Sequence, residues 1–206
     1  MYARSTTVHA DPQRIDDGIA YIRDEVMPAV QSMPGCMGTS MLCDRGSGRC
    51  IVTTSWDSAE SMGASRDAVM PMRERATDVM GGSFDVQEWE ILVLHRAHQA
   101  PEGACCRVTW TRGDPAGMDD MTETFRTAIV PRLDDMAGFC SVSVMGDRQS
   151  GMCVLTATYD DRAALERSTE AVRGMREQFT QQTALEVVDM AEFELAIHHL
   201  RVPEMA

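Results

Sequence analysis

The alternation of apolar and polar residues predicts the same succession of elements twice. Apolar residues recur every three or four positions from Ile15 to Val30 and again from Met118 to Leu133, which is typical of amphipathic helices. Shorter runs with alternating character predict strands around each helix. Each half of the chain thus reads β-α-β-β-α-β, the ferredoxin-like order with both helices on one face of an antiparallel sheet. The predicted elements of the first half are strands over 3–9, 36–43, 49–56 and 83–96, with the second helix over 58–79.

Direct comparison of the two halves confirms that the chain repeats itself. When residues 4–77 are set against residues 107–180 without a gap, 25 of the 74 pairs are identical. Composition would give about 6–7% identity by chance. One extra residue after Thr180 then aligns His95 with His199. The period is that of a small domain, so we predict repeat 1 at 1–97, a linker at 98–103 and repeat 2 at 104–206.

The positions of proline and glycine residues support these predicted helices and turns. Pro28 and Pro131 fall near the end of the first helix of each repeat, where a kink or a stop is expected. Gly48 and Gly151 close equivalent hairpin turns and are predicted to have positive φ.

The last strand of each repeat has two different faces. One face carries Trp89, Ile91, Val93 and His95, and we expect this apolar face to pack on the helices. The other carries Glu88 and Glu90, matched by Glu192 and Glu194 in repeat 2, and is expected to face the sheet of the other repeat, where Arg4 would meet either Glu88 or Glu90. Arg4 and Arg107 would then meet these glutamates between the two sheets. The pairs are either structural bridges, which we favour, or the lining of a cavity for an acidic ligand.

The amino-acid composition argues against two classes of function, nucleic-acid binding and residence in a membrane. The chain has 19 basic and 32 acidic residues, a net charge of −13, and neither lysine nor asparagine. Such acidity argues against nucleic acid as a partner. The longest apolar runs have the length of strands, which argues against membrane residence. The N-terminus lacks the plan of a signal peptide, so a cytoplasmic protein is expected.

The cysteines predict no site. Their number is odd at seven, there is no C-x-x-C pair, and no spacing matches a zinc motif, so neither a disulfide framework nor a metal site is expected. Free cysteines in apolar surroundings usually behave as small hydrophobic residues. No phosphate loop or nucleophile elbow occurs either.

Four segments carry a family resemblance. The stretch Cys50–Glu60 (CIVTTSWDSAE) is echoed by Cys153–Asp161 (CVLTATYDD), and each places an aromatic residue at a strand end just before an acidic or serine helix cap. Pro34–Ser40 (PGCMGTS) and Ala137–Ser143 (AGFCSVS) form the preceding passage from helix to strand. As a tandem pair, the chain resembles the dimeric α/β barrel superfamily, and within it the antibiotic biosynthesis monooxygenases. The resemblance implies an α+β fold in which two ferredoxin-like repeats pack sheet to sheet as an intramolecular barrel.

The resemblance also implies a choice of chemistries, since the superfamily includes cofactor-independent monooxygenases acting on polyketide quinols, haem-degrading enzymes, isomerases and lyases. Haem-degrading members use a histidine of the second helix as iron ligand, whereas residues 62–66 and 165–169 contain none. The strand-one asparagine of oxygen-activating members is also absent. The resemblance therefore argues against haem, and we expect no cofactor.

Several residues are candidates for a site. Trp56 and Tyr159 end a strand where a pocket between sheet and helices would open. Trp110 and Tyr21 lack counterparts in the other repeat, and Arg4 and Arg107 are possible charge anchors. His95 and His199 are the candidate catalytic bases. For each, a structural role is the plainer alternative.

The favoured function is a cofactor-independent, monooxygenase-like enzyme acting on a small aromatic or polycyclic hydrophobic compound. The alternatives are a non-catalytic ligand-binding or stress-response barrel, and a structural partner of another enzyme. The expected partner is a small hydrophobic molecule, and the acidic exterior leaves room for a homodimer of the two-repeat chain.

Overall fold

The computed structural model describes residues 1–200, with side chains through His199, so residues 201–206 of the predicted second repeat lie outside the described residues. Repeat 1 contains four strands and two helical segments, the second interrupted at Ser65. Its elements are β1 (Tyr2–His9), α1 (Ile15–Tyr21), α2 (Met27–Gln31), β2 (Cys36–Cys43), β3 (Arg49–Trp56), α3 (Ala59–Ala64), α4 (Arg66–Met80) and β4 (Ser83–Arg96).

Repeat 2 follows the same order with an unbroken second helix. Its elements are β5 (Cys105–Arg112), α5 (Met118–Thr124), α6 (Val130–Asp134), β6 (Phe139–Asp147), β7 (Met152–Tyr159), α7 (Arg162–Thr183) and β8 (Glu186–Leu200). The predicted β-α-β-β-α-β order is therefore present in both repeats.

The strands close into a barrel. Their hydrogen-bonded order is β1-β3-β2-β8-β5-β7-β6-β4, which returns to β1. The long strands pair beyond their own repeat: β8 pairs with β2, and β4 pairs with β6. The predicted α+β fold with an intramolecular eight-stranded barrel is confirmed.

Two compact units follow from this pairing. One unit contains residues 1–89 and the part of β8 from Phe193, and the other contains residues 90–192. Each unit has its own apolar core between sheet and helices: Ile15, Met41 and Trp56 are central in the first, and Phe125, Val144 and Leu165 in the second.

Both long strands carry a bulge that changes which face a side chain occupies. In β4 the register with β6 shifts between Ile91 and Val93, and in β8 the register with β2 shifts between Leu195 and Ile197. A bulge inserts one residue and so breaks the two-residue period. A single apolar face cannot therefore be followed along the whole strand.

The prediction for the faces of β4 is wrong before the bulge. Arg4 binds Glu88, but the same guanidinium also binds Ser65 and the Met62 carbonyl, so the pair lies on the helix side. Trp89 points to the other face, where its Nε1 donates to Ser5 Oγ at 2.8 Å. After the bulge, Val93 packs in the helix-side core of the second unit. The predicted meeting of Arg4 and Glu88 between two sheets is therefore corrected to a meeting beneath the helices.

The prolines neither stop nor break the first helix. A π-helical turn, Ile22–Val26 in repeat 1 and Phe125–Ile129 in repeat 2, precedes the segment that holds Pro28 or Pro131. Proline lacks an N–H donor, and a wider turn accommodates its ring without ending the helix.

The hairpin glycines behave as predicted. Gly48 and Gly151 have φ of 79° and 71°. A Cβ on either would overlap a backbone carbonyl oxygen, that of Ala10 or of Gly113.

Among the described residues, no helix combines the length and the apolar character needed to cross a membrane.

Candidate functional site

The second unit encloses an apolar cavity between its sheet and its helices. Its volume is about 80 Å³, several times the space that one water molecule requires. The sheet contributes β5, β6 and β7, and the helices close the other side. The lining residues are Thr109, Thr111, Met121, Phe125, Ile129, Leu133, Val144, Cys153, Leu155, Ala157, Tyr159, Val172, Met175, Arg176, Phe179 and Leu185.

Arginines at equivalent positions behave differently in the two repeats. In repeat 1, Arg73 is buried and its Nε donates to Thr6 Oγ1 at 3.1 Å. Burial lowers the pKa of Arg73, and the charge of Arg4 adds to this effect. In repeat 2, Arg176 directs Nη1 to the Met190 sulfur at 2.8 Å and forms part of the cavity wall. The guanidinium that reaches the sheet in repeat 1 is thus held at the rim in repeat 2.

The wall also offers aromatic and thioether surfaces. Phe125 and Phe179 meet edge to face with their ring centroids 5.7 Å apart. Met121 and Met175 lie on the same wall, and methionine adapts its shape to neighbouring rings. A flat apolar ring would find matching partners here.

Tyr159 forms the inner end of this wall and is fully buried. Its ring meets Phe139 edge to face at 6.2 Å. Its hydroxyl has no partner at hydrogen-bonding geometry among the described residues, and its polar neighbours are Ser168 and Arg107. Burial raises the pKa of Tyr159, and these two neighbours only reduce the rise. The hydroxyl therefore stays protonated at neutral pH.

Arg107 is held by four partners behind Tyr159. Nη2 donates to Glu192 and Thr169, both at 2.9 Å, and Nη1 donates to Ser168 at 3.1 Å. Nη2 also reaches the Leu165 carbonyl at 3.2 Å. The side chain of Arg107 is 5% exposed, whereas that of Glu192 is 38% exposed.

Arg4 repeats this arrangement in the first unit. It binds Glu88 at 2.8 Å, Ser65 at 2.8 Å and the Met62 carbonyl at 2.6 Å. Burial disfavours the charged form of Glu88, but hydrogen bonds from Arg4 and Arg66 outweigh it, so the pKa of Glu88 is lowered. The donors of both arginines are used within the protein, and this favours the structural-bridge interpretation over a ligand anchor.

The remaining aromatic candidates do not line the cavity. Trp56 is fully buried in the core of the first unit, and its Nε1 donates to Thr54 Oγ1 at 3.1 Å. Trp110 lies between Thr109 and Thr111 on β5, and both threonines line the cavity, so its side chain occupies the opposite face. Tyr21 belongs to the first unit, where its hydroxyl contacts the Met72 carbonyl at 3.4 Å.

The histidine candidates also lie elsewhere. His95 Nε2 is 2.7 Å from Asp134 Oδ1, and its ring stacks on Phe139 at 6.5 Å. His199 faces Thr39 across β2 and β8, and its Nε2 has no hydrogen-bond partner among the described residues. Neither ring contributes to the cavity wall, so their catalytic role stays a prediction.

Sequence reasoning did not identify Thr109 and Arg176 as residues that line the cavity. Thr109 and Arg176 appear among the identical pairs of the repeat, matched to Thr6 and Arg73. Their identity indicates that both positions were retained after duplication, but it does not show that Arg176 is turned differently from Arg73. The sequence shows the identity of the two arginines, but only the packing of neighbouring side chains shows that they point in different directions.

The cavity does not fit haem. Among the described residues, no histidine lines it, and its thiol and thioether groups are those of Cys153, Met121 and Met175 within an apolar wall. Its volume is also far below the roughly 300–1,000 Å³ of pockets for drug-sized ligands.

The chain folds as a closed eight-stranded α+β barrel of two ferredoxin-like repeats, and solved structures with monooxygenase-like names share this fold. A provisionally named monooxygenase of Lactobacillus acidophilus aligns with a TM-score of 0.70 at 9% identity, covering 97% of this chain and 96% of that one. An anthrone oxidase-like protein aligns at 0.66 and 15%, covering 100% and 95%. At 9% and 15% sequence identity, these structural similarities show a shared fold and carry no information on activity.

The chain belongs to the family of two Mycobacterium tuberculosis proteins, the uncharacterized proteins Rv2557 and Rv2558. It is 45% identical to Rv2557 over 205 residues, which cover 100% of this chain and 92% of the relative. It is 46% identical to Rv2558 over 206 residues, covering 100% and 87%. No family model matches the chain.

Proposed function

We propose that the second repeat binds a small aromatic molecule in the cavity between its sheet and its helices. The observation that carries this proposal is the apolar cavity itself, with Phe125, Phe179 and two methionines on its wall. Its wall is almost entirely apolar, and the residues with polar side-chain atoms that border it are Thr109, Thr111, Tyr159 and Arg176. Sites of this composition bind an apolar body and orient it through one or two polar atoms.

The proposed ligand is a single ring with one acidic or phenolic oxygen. A cavity of about 80 Å³ is too small for a polycyclic compound unless the wall moves. Arg176 is half-buried at the rim, and Met121 and Met175 are flexible, so modest widening is available. The guanidinium of Arg176 would then pair with the oxygen while the ring contacts the phenylalanines.

A cavity-filling variant tests this proposal. Phenol and 1,4-hydroquinone are titrated into the full-length protein, and binding is followed by ligand-observed NMR. We expect saturable binding that Val172→Phe abolishes, because the added ring occupies the cavity. Val69→Phe places the same bulk at the equivalent position of repeat 1 and should leave binding intact. Absence of binding to the wild-type chain, or equal loss in both folded variants, would refute the proposal.

A second candidate function is oxidation of the bound ring system without a cofactor. The observation that favours it is Arg176, which borders the apolar cavity and directs Nη1 to Met190; this guanidinium, turned inward, would stabilise a substrate anion. In such a reaction 1,4-hydroquinone and O₂ become benzoquinone and hydrogen peroxide, so the substrate supplies both electrons. Oxygen uptake with 1,4-hydroquinone as the single-ring probe tests it. Uptake that depends on protein and falls in Arg176→Gln supports oxidation, and unchanged uptake contradicts it.

The cellular setting is also a proposal. We propose a cytoplasmic protein, in keeping with the acidic composition of the chain. Fractionation of the source cells checks the location. Sedimentation velocity of the full chain checks whether two copies associate.

A further inference from the structure

A second group of reactive side chains lies outside the cavity wall, in the second unit. His98 follows β4, Cys140 lies near the start of β6, and Asp160 follows β7. One potential ligand atom from each lies within 4.8 Å of the others. His98 Nε2 is 2.7 Å from Asp160 Oδ1, and Cys140 Sγ is 3.2 Å from the same oxygen.

Backbone hydrogen bonds hold the three segments together independently of these side chains. The N–H groups of Ala97 and His98 both donate to the Cys140 carbonyl, at 2.8 and 3.2 Å. The Asp160 N–H donates to the Gly138 carbonyl at 2.8 Å. Gly138 has φ of 84°, and a Cβ there would lie 2.6 Å from the Ala164 Cβ. The close approach of the loops is therefore built into the backbone, as a site on rigid elements requires.

The donor set matches one class of cation. Imidazole, thiolate and carboxylate together suit zinc and similar borderline-soft ions, whereas Ca²⁺ and Mg²⁺ take oxygen ligands. Zinc bonds of about 2.0–2.3 Å place tetrahedral ligand atoms about 3.3–3.7 Å apart. The separations of His98 Nε2 and Cys140 Sγ from Asp160 Oδ1, 2.7 and 3.2 Å, are shorter than this range, so binding requires these ligand atoms to move apart by about 1 Å or less.

We propose that His98, Cys140 and Asp160 form a binding site for a zinc-class divalent cation. Cys140 is buried, Asp160 is half-buried and His98 is exposed, so the protein closes one side and the fourth coordination position faces water. This departs from the expectation that the cysteines bind no metal. It is independent of the proposed ligand cavity, since none of the three residues lines that cavity.

Repeat 1 provides a natural comparison. Asp57 is equivalent to Asp160, but Met37 stands in place of Cys140 and offers a thioether instead of a thiol. Hydrogen bonds from Ser61 and Ser58 lower the pKa of Asp57 and occupy the carboxylate. The site is therefore proposed for repeat 2 alone among the described residues.

Metal titration of the full-length, chelator-treated protein tests the site. Zinc is titrated against a chromophoric chelator, and Co²⁺ is then used as a spectroscopic probe. We expect one ion per chain with a Kd of about 1 µM or tighter, and a cobalt spectrum with a thiolate-to-metal charge-transfer band. Cys140→Ser should remove that band, and His98→Gln should weaken zinc binding at least about tenfold.

Two matched variants separate this site from adventitious binding. His9 forms another exposed pair with a carboxylate, 3.2 Å from Asp85, so His9→Gln should leave zinc affinity unchanged. Asp57→Asn is the corresponding control for Asp160→Asn. If Cys140→Ser does not fold, the exposed His98 variant decides the result. The proposal is overturned by absence of stoichiometric binding, by a cobalt spectrum without a thiolate band, or by equal affinity in His98→Gln and the wild type.

Discussion

Replacing Arg107 with methionine tests how much the buried arginine stabilises the second unit. Methionine keeps much of the unbranched side-chain length and removes every donor of the guanidinium. The arginine bonds that disappear lead to Glu192, Ser168, Thr169 and the Leu165 carbonyl. Three of these partners lie on α7, so the bonds tie that helix to the sheet.

The expected loss of unfolding free energy depends on the hydrogen bonds that the partners of Arg107 retain in the variant. Breaking a buried ion pair costs about 3–5 kcal/mol when it leaves a buried charge unpaired. Glu192 would not be unpaired, because it retains Arg162 at 2.8 Å and is 38% exposed. The Leu165 carbonyl also retains the Ser168 hydroxyl at 2.7 Å. We therefore expect the lower end of the range, a loss of about 3 kcal/mol in the free energy of unfolding.

Urea unfolding monitored by circular dichroism measures this loss at neutral pH. Arg148→Met removes a bridge to Glu90 in which the arginine is 45% exposed, and it should cost less than about 1 kcal/mol. The loss of unfolding free energy in Arg107→Lys should lie between those of the two variants, since lysine keeps the positive charge but lacks the planar, multiply donating guanidinium. A loss below about 1 kcal/mol in Arg107→Met would refute the structural role of the bonds.

Three further predictions follow from other features. Glu88→Gln should destabilise the protein at neutral pH and cost progressively less as the pH falls below the ordinary glutamate pKa of about 4.3, because a carboxylate with a lowered pKa stabilises above its unfolded pKa and loses that contribution as pH falls through its folded pKa; a penalty in urea that does not decrease from neutral to acidic pH would contradict this. Gly151→Ala should cost about 2 kcal/mol or more from positive φ and overlap with the Gly113 carbonyl, whereas Gly103→Ala, with positive φ in open space, should cost only about 1 kcal/mol in the same assay. Cutting the chain at Pro101 should give two fragments that copurify, because β2 pairs with β8 and β4 pairs with β6; fragments that are each stable monomers would be the contrary result.

The cavity and the proposed zinc site show different limits of sequence reasoning. The prediction of a pocket beside the strand end at Tyr159 followed from the element order, since aromatic residues close this part of the layer. The equivalent residues Arg73 and Arg176 are identical in type but bind different partners, Thr6 on the sheet and Met190 on β8. Only packing against neighbouring side chains distinguishes them.

The residues of the proposed zinc site are far apart along the chain and match no short motif. His98, Cys140 and Asp160 come together because hydrogen bonds join the ends of β4, β6 and β7. A motif search depends on close spacing, whereas the barrel brings together loops from distant segments. The expectation that the cysteines form no metal site was drawn from their spacing along the chain, and this spacing does not show which loops the barrel brings together.

The sequence by itself determined the duplication, the element order and the positive-φ turns, because periodicity and glycine placement are local properties that survive in one dimension. The two bulges, the face occupied by Arg4 and Glu88, and the direction of Arg176 were decided by tertiary structure. Each depends on strand register or on competition among neighbouring side chains for the same space, and a register shift of one residue reverses every face that follows it.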